Sequence, residues 1–160
     1  MKINFGCGSR ILKDWVNLDV YARPLWCADN YIRLDPNSAL PFQDESVDFI
    51  YSEHFIEKLK FEDCLDVFLE LHRILKPTGA LRISTPDLDK ISNKLRIAEV
   101  ESTLQLYEMS KLKENLWLSG FIDVKICVCG ESNYPELCNL EHKSEDGDLI
   151  VEARKFLVDL

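Results

Sequence analysis

Short apolar runs alternate with polar turns along the first half of the chain, and several of these runs end at an acid or a proline. Runs of this kind, bounded by turn residues, predict short strands. The predicted strands are Ile3–Phe5, Val16–Asp19, Ile32–Leu34, Val47–Tyr51 and Ala80–Thr85. The apolar tone of Val47–Tyr51 is typical of a strand buried in a parallel sheet.

One helix is predicted by apolar residues that recur at spacings of three and four. These residues are Phe61, Cys64, Leu65, Phe68, Leu69, His72 and Leu75. Glu62 and Asp63 stand in its first turn and Arg73 and Lys76 at its end, where their charges complement the helix dipole. The turn residues Pro77–Gly79 are predicted to end it. On the apolar stripe, His72 is read as a packed or edge residue and not as a ligand.

The second half of the chain begins with a helical region, Asp87–Ser119, which closes on Gly120, a suitable residue just after a helix end. Phe121–Cys129 then alternates, which places Ile122, Val124, Ile126 and Val128 on one face of a predicted strand. Leu149–Ala153 is predicted to be the last strand. This order of strands and helices favours an α/β layer fold with mostly parallel strands.

The turn between the first two strands carries the first sign of chemistry. Gly6 and Gly8 remove two side chains there, so a ligand could lie against bare backbone. Asp19 ends the next strand, where one carboxylate can accept both hydroxyls of a nucleoside ribose. The stretch indicates a nucleoside cofactor. The alternatives are a Gly-x-Gly turn without a ligand, and solvent-exposed acids at Asp19 and Asp35.

Only seven residues separate Gly8 from Val16. A parallel crossover normally takes a dozen or more residues, usually with a helix. A parallel arrangement therefore requires a single turn or a loop here, and a hairpin is the alternative.

Length and composition limit the function classes. A chain of 160 residues is predicted to be one domain, and its composition of 46% hydrophobic and 29% charged residues is globular. The sequence shows no signal peptide and no apolar run of the roughly 18 residues that a membrane span needs, so six cysteines are expected to be reduced thiols of a cytoplasmic protein. A net charge of -9 opposes nucleic acid and favours a small-molecule partner. Nothing indicates an oligomeric state.

Cys127, Cys129, Cys138 and His142 could be read as a zinc set, since zinc prefers thiolate and imidazole ligands. Their spacing is not that of a standard knuckle, and strand alternation explains Cys127 and Cys129 without a metal. No metal is predicted.

Three longer motifs stand out, namely NFGCGS at 4–9 with WVNLD at 15–19, LPF at 40–42 with SVDFIYS at 46–52, and LHRILKPTGAL at 71–81. With these motifs the chain resembles the class I S-adenosylmethionine-dependent methyltransferases, in particular a compact subgroup of small predicted methyltransferases. The resemblance covers nearly the whole chain. It implies a Rossmann-like, doubly wound seven-stranded sheet that is mostly parallel, with the last strand, Leu149–Ala153, antiparallel between the fifth and sixth. It also implies S-adenosyl-L-methionine as the cofactor, and a short crossover after the glycines.

The same resemblance implies roles for individual residues. Gly6 and Gly8 would pass beneath the ribose and the methionine end of the cofactor, and Asp35 would approach the adenine. Ser52, Glu53 and His54 would border the sulfonium and the acceptor, with His54 as candidate general base, although a structural histidine is the alternative. The full predicted cofactor site comprises Asn4, Phe5, Gly6, Cys7, Gly8, Asp19, Val20, Asp35, Ser52 and Glu53.

The chain departs from the subgroup at three places. Ser9 replaces a third glycine, and Lys58 stands where a second histidine is frequent. The region Asp87–Ser119, where relatives commonly place acceptor-binding insertions, is short. The expected activity is therefore methyl transfer to an unidentified small-molecule acceptor. The alternatives are a cofactor-binding protein without catalysis and, less well matched because Asp19 comes too soon after the glycines, a nicotinamide-dependent oxidoreductase.

Overall fold

The computed structural model of the protein describes residues 1–21, 30–35, 38–91, 107–142 and 147–155. Seven strands form one sheet: β1 (Lys2–Phe5), β2 (Val16–Asp19), β3 (Tyr31–Arg33), β4 (Val47–Glu53), β5 (Leu75–Pro86), β6 (Phe121–Ile126) and β7 (Asp148–Lys155). The described helices are α1 (Phe61–Ile74), α2 (Leu88–Ile91) and α3 (Met109–Leu118), with single 3₁₀ turns at Ile56–Lys58 and Pro135–Leu137. None of these described helices has the length and apolar character that a membrane crossing requires.

The strand order is β3-β2-β1-β4-β5-β7-β6. Strands β1 to β5 pair in parallel, and β7 runs antiparallel between β5 and β6. This arrangement confirms the predicted Rossmann-like, doubly wound fold with an antiparallel last strand. Ile3 pairs with Val16 and Phe5 with Leu18 in parallel register, which rules out the hairpin alternative. A loop makes the short crossover between them.

Helices α1 and α3 supply the core on one face of the sheet. Phe68, Leu71 and Ile74 of α1 and Leu112 and Leu116 of α3 are fully buried in one cluster with strand residues. The predicted helix is confirmed, but it ends at Ile74 instead of running to Pro77–Gly79. Strand β5 begins at once with Leu75 in an extended conformation. Proline clashes with a helical residue before it, so Lys76 is also driven out of the helix.

The predicted helical region Asp87–Ser119 begins with the short helix α2 and ends with α3. Residues 92–106 lie outside the described residues. Gly120 follows the end of α3 with φ of 92°, a left-handed conformation, as expected of the residue after a helix end.

The predicted alternation of Phe121–Cys129 is wrong in its second half. Strand β6 ends at Ile126, and its pairing with β7 shifts between Ile122 and Lys125, where Asp123 has φ of 51°. This bulge interrupts the period of two, so the residues that pack on the core are Phe121 and Val124. Ile126 and Val128 are 65% and 62% exposed.

The opposite face of the sheet is covered by residues 127–142, which we call the cap segment, together with the loop before β2. Leu137 and Leu140 of the cap segment form a second apolar cluster with Trp15, Tyr51 and Ala80. Tyr51 and Ala80 lie on this face because neighbouring residues in a strand point to opposite faces. The cap segment therefore packs directly on the central strands.

Candidate active site

The sequence-predicted site residues come together at the carboxyl ends of the central strands. Strand β1 lies between β2 and β4, so the chain leaves it toward one side of the sheet and later continues toward the other. Open α/β sheets bind ligands in the crevice at such a switch point. The turn after β1, Asp19 and Val20 at the end of β2, and Ser52–His54 at the end of β4 all lie at this edge.

Backbone hydrogen bonds fix the glycine turn to β2. The amides of Gly6 and Cys7 both donate to the carbonyl of Leu18, at 2.8 and 3.0 Å. The amide of Gly8 donates to Oδ2 of Asp19 at 2.7 Å. Both glycines adopt left-handed conformations, with φ of 70° at Gly6 and 53° at Gly8, which side chains of other residues disfavour.

The two glycines have different surroundings. A Cβ atom on Gly6 would lie 2.1 Å from Cγ of Phe55, whereas a Cβ on Gly8 would have no neighbour within 4 Å among the described residues. The Phe55 ring also packs edge-on against Phe5, with centroids 5.0 Å apart. The bare face of Gly6 is therefore taken by an aromatic side chain, which corrects the expectation that both glycines present free backbone. Gly8 alone presents it to open space.

Asp19 is buried, with 2% of its surface exposed, so it is not a solvent-exposed acid. Its Oδ2 accepts the Gly8 amide, and its Oδ1 accepts the Tyr21 amide at 3.2 Å. Each carboxylate oxygen can accept a further hydrogen bond, which is the capacity that two ribose hydroxyls require. Asp35, in contrast, is exposed and accepts a hydrogen bond from the Ser38 hydroxyl at 3.2 Å. Its adenine contact stays a prediction.

Other residues of the predicted cofactor site have their side chains inside the protein. The Asn4 amide donates to the carbonyl of Arg10 and to Oδ1 of Asn17, both at 2.8 Å. Phe5 is buried in the core, Val20 packs against that core, and Cys7 is buried beside Tyr31. The side chains of Asn4 and Phe5 are therefore enclosed by the protein, and their contact with the cofactor stays a prediction.

Ser52 and Glu53 end β4 with different environments. Ser52 is buried, and its hydroxyl has no hydrogen-bond partner in the part of the chain that is described. Glu53 has two partners: Oε2 accepts from the Arg10 guanidinium at 2.5 Å, and Oε1 accepts the His142 amide at 2.8 Å. Glu53 thus joins the glycine turn to the cap segment.

His54 lies between two carboxylates. Its Nε2 is 3.2 Å from Oδ2 of Asp148, and its Nδ1 is 3.4 Å from Oε1 of Glu57. Hydrogen bonds to Asp148 and then to Glu57 raise the pKa of His54 to about 10, although burial opposes the shift. The imidazole therefore carries its proton at neutral pH. No comparison tests the predicted general-base role, but this geometry weighs against it, because both ring nitrogens already donate.

The raised pKa of His54 predicts a pH dependence of folding. The stabilisation from the imidazolium is fully present below pH 6.5, the ordinary value, and is lost as the pH rises toward about 10. We expect His54→Asn, which tolerates the φ of 50° found here, to be less stable than wild type at pH 6. The difference should shrink as the pH rises to 10, as measured by urea unfolding. A difference independent of pH would contradict the assigned protonation state.

Sequence reasoning missed several residues of this site, namely Arg10, Phe55, Glu57, Asp148 and the amide of His142. Asp148 is 94 residues from His54 along the chain, and only the pairing of Pro86 with Asp148 in the sheet places it there. Once the last strand is inserted beside β5, that register is the signal that could have identified Asp148. No comparable signal marks Arg10.

The residues considered for zinc do not converge. The thiol of Cys138 points to the carbonyls of Ser132 and Tyr134, both at 3.5 Å, and that of Cys129 lies 3.9 Å from Oε2 of Glu141. Within the described ranges, no group of three or more His, Cys, Asp or Glu side chains is arranged to hold a metal ion.

Comparisons with known proteins identify the family of this chain. A family model described as "Methyltransferase domain" matches residues 4–83, from β1 through α1 into β5. The chain belongs to this methyltransferase family. It is a class I S-adenosylmethionine-dependent methyltransferase, with S-adenosylmethionine as its cofactor. No curated protein matches the sequence.

Solved structures share the fold of this methyltransferase at low sequence identity. A SAM-dependent methyltransferase from Archaeoglobus fulgidus is 16% identical, with a TM-score of 0.74 over 96% of this chain and 85% of that chain. A SAM-dependent methyltransferase from Thermotoga maritima, described as a possible histamine N-methyltransferase, is 19% identical, with a TM-score of 0.65 over 96% of this chain and 81% of that one. A third, from Mesorhizobium loti, is 18% identical, with a TM-score of 0.63 over 96% and 90%.

The residues at the switch point fit the cofactor. Gly8 leaves open space beside the backbone, and Asp19 keeps acceptor capacity next to that space. Ser52 adds a buried hydroxyl, without a partner in the described residues, at the same edge of the sheet. A bare backbone, a ribose-accepting carboxylate and a hydroxyl are the groups that a nucleoside with a polar tail requires.

Proposed function

We propose that this methyltransferase transfers the methyl group to a small-molecule acceptor. The observation that supports this is the negative charge at the site's edge. The carboxylates of Asp19 and Glu53 end β2 and β4, that of Glu57 lies in the 3₁₀ turn after β4, and that of Asp148 begins β7. Together with a net charge of -9, they oppose the phosphate backbone of a nucleic acid.

The protonation state of His54 limits which chemical classes of methyl acceptor the site can serve. Bound S-adenosylmethionine supplies a methyl group already activated by a sulfonium, so positioning provides much of the rate. Because His54 holds its proton between Asp148 and Glu57, it is not available to take one from a hydroxyl acceptor. We therefore favour an acceptor whose nucleophilic form needs no proton transfer to His54 during the reaction, such as the unprotonated fraction of an amine or a thiolate.

A panel of acceptors tests this proposal. Amines, thiols and alcohols of small size are incubated with the protein and S-adenosylmethionine, and the release of S-adenosylhomocysteine is measured. Turnover with amines or thiols and none with alcohols or RNA is the expected result. Turnover with RNA alone would contradict the small-molecule proposal. Cofactor binding without turnover on any of these would favour the alternative of a binding protein without catalysis.

Asp19 is proposed to hold the ribose hydroxyls, and its replacement tests that assignment. Asp19→Ala should weaken S-adenosylhomocysteine binding by roughly 1.5–3 kcal/mol, the scale of hydrogen bonds to a charged group. Asp19→Asn keeps an oxygen that can accept the Gly8 amide, so the turn stays supported. A loss of affinity in this variant is then due to the ligand contact and not to a change in the turn. Titration calorimetry measures both variants, with Asp66→Ala, at an exposed acid on α1 outside the predicted site, as the control. Unchanged affinity in a folded Asp19→Ala protein would remove the ribose assignment.

A further inference from the structure

Three segments distant in sequence meet at the side chain of Glu53. One oxygen binds the Arg10 guanidinium at 2.5 Å and the other binds the His142 amide at 2.8 Å. The side chains of Arg10 and Glu53 are only 28% and 12% exposed, so this pair is shielded more than a surface ion pair. The end of β4, the residues after the glycine turn and the end of the cap segment are therefore held by one carboxylate.

The backbone of Arg10 is fixed by hydrogen bonds on both sides. Its amide donates to the carbonyl of Cys7 at 2.8 Å, and its carbonyl accepts from the Asn4 side chain at 2.8 Å. These bonds tie the position of Arg10 to the glycine turn and to β1. Glu53 is the carboxylate to which the Arg10 guanidinium is bound.

The cap segment is held as a unit on the sheet. The fully buried Arg82 donates to the carbonyls of Val128 and Glu131 at 3.1 and 2.9 Å and to the carboxylate of Glu141. Glu141 in turn accepts the Gly130 amide at 2.9 Å. The two ends of the cap segment are therefore tied to each other through one guanidinium, and its last residue, His142, contacts Glu53.

We propose that Glu53 is a positioning residue that couples the glycine turn to the cap segment. A cofactor bound at the glycine turn stabilises the cap segment, and a cap segment held in place favours binding at the turn. The part of this inference that concerns binding rests on the proposed cofactor site. Such coupling is reciprocal by thermodynamic necessity. Glu53 thereby acts through Arg10 and His142. The resemblance of the sequence implies a different role for Glu53, direct contact with the cofactor.

The first arm of the test needs no cofactor. Amide hydrogen exchange is followed across residues 127–142 in wild type, Glu53→Gln and Arg10→Gln. Both variants should exchange faster than wild type in this segment, by about 10-fold, while α1 is unchanged. Lys111→Gln on α3 removes a positive charge, as Arg10→Gln does, but from an exposed ion pair, and it should match wild type. Wild-type exchange in both Arg10→Gln and Glu53→Gln would overturn the coupling.

The second arm is a double-mutant cycle on the dissociation constant of S-adenosylhomocysteine. Each single variant, Arg10→Gln and Glu53→Gln, should weaken binding about 10-fold, and the double variant should also weaken it about 10-fold, because both changes break the same link. A dissociation constant raised about 100-fold in the double variant, the product of the two single effects, would mean that the residues act independently. That result would overturn the inference while the cofactor site stands. Failure of wild type to bind would overturn the cofactor site and this arm together.

Discussion

Replacing Arg82 by Met is expected to lower the free energy of unfolding by about 3–5 kcal/mol, the cost of removing one partner from a buried ion network. Arg82 is fully buried and donates to the carboxylates of Glu141 and Glu152. Burial lowers the pKa of Arg82, but the interactions with Glu141 and Glu152 outweigh it, so the pKa stays above its ordinary value. Without the guanidinium, two carboxylates and two cap carbonyls each lose one hydrogen bond, and Glu141 keeps the Gly130 amide as a backbone donor from the cap segment.

Urea unfolding at pH 7 measures this loss. Arg154→Met is the matched control, since Arg154 pairs with Asp123 at the surface, where an ion pair contributes about 0–1 kcal/mol. Burial raises the pKa of Glu141, yet the hydrogen bond from Arg82 lowers it further, below the ordinary 4.5. The stabilisation is therefore present above pH 4.5 and lost as the pH falls. Equal losses in the Arg82 and Arg154 variants at pH 7 would contradict the account of the cap segment.

Gly8→Val is expected to weaken S-adenosylhomocysteine binding at least about 100-fold, or about 2.7 kcal/mol, while the sheet stays folded. The branched side chain would enter the open space beside Gly8, and a φ of 53° is unfavourable for a β-branched residue. The strain amounts to about 1–2 kcal/mol and falls on an exposed turn.

Two further variants separate the possible causes of weakened binding, which are obstruction by the added side chain and strain in the turn. Gly8→Asn tolerates the left-handed backbone but still adds a side chain, so weakened binding in this variant identifies the obstruction as steric. Gly6→Ala instead pushes against Phe55 and should lower the melting temperature. Tight binding by a folded Gly8→Val protein, measured by calorimetry, would show that the cofactor does not lie against this turn.

The elements that the sequence predicted were those with a local signal. Helix α1 is recognised by the helical spacing of its apolar residues, and β1, β2 and β4 by short apolar runs, so each can be predicted from a few neighbouring residues. The antiparallel last strand came from the resemblance of whole motifs, since no local pattern states the direction of a strand. The alternation of β6 failed because a single bulge at Asp123 changes which residues face the core.

Within the site, the sequence identified the residues at the strand ends but not their partners. The bond from Glu53 to His142 spans 89 residues and that from His54 to Asp148 spans 94, and no local periodicity carries such information. The sequence therefore makes His54 a candidate base, because a lone imidazole titrates near neutral pH, and leaves a structural histidine as the alternative. The sequence analysis assigns no role to Arg82, because its burial depends on the cap segment, whose Val128 carbonyl it contacts.

We expect this methyltransferase to bind its cofactor at the Gly8–Asp19 edge of the sheet. Titration calorimetry of S-adenosylhomocysteine into wild type and Gly8→Val, side by side, tests it most directly. We predict one site per chain in wild type, with a matching rise in melting temperature, and no detectable heat of binding in the variant. No binding to a folded wild-type protein, or equal binding to both proteins, would contradict the account.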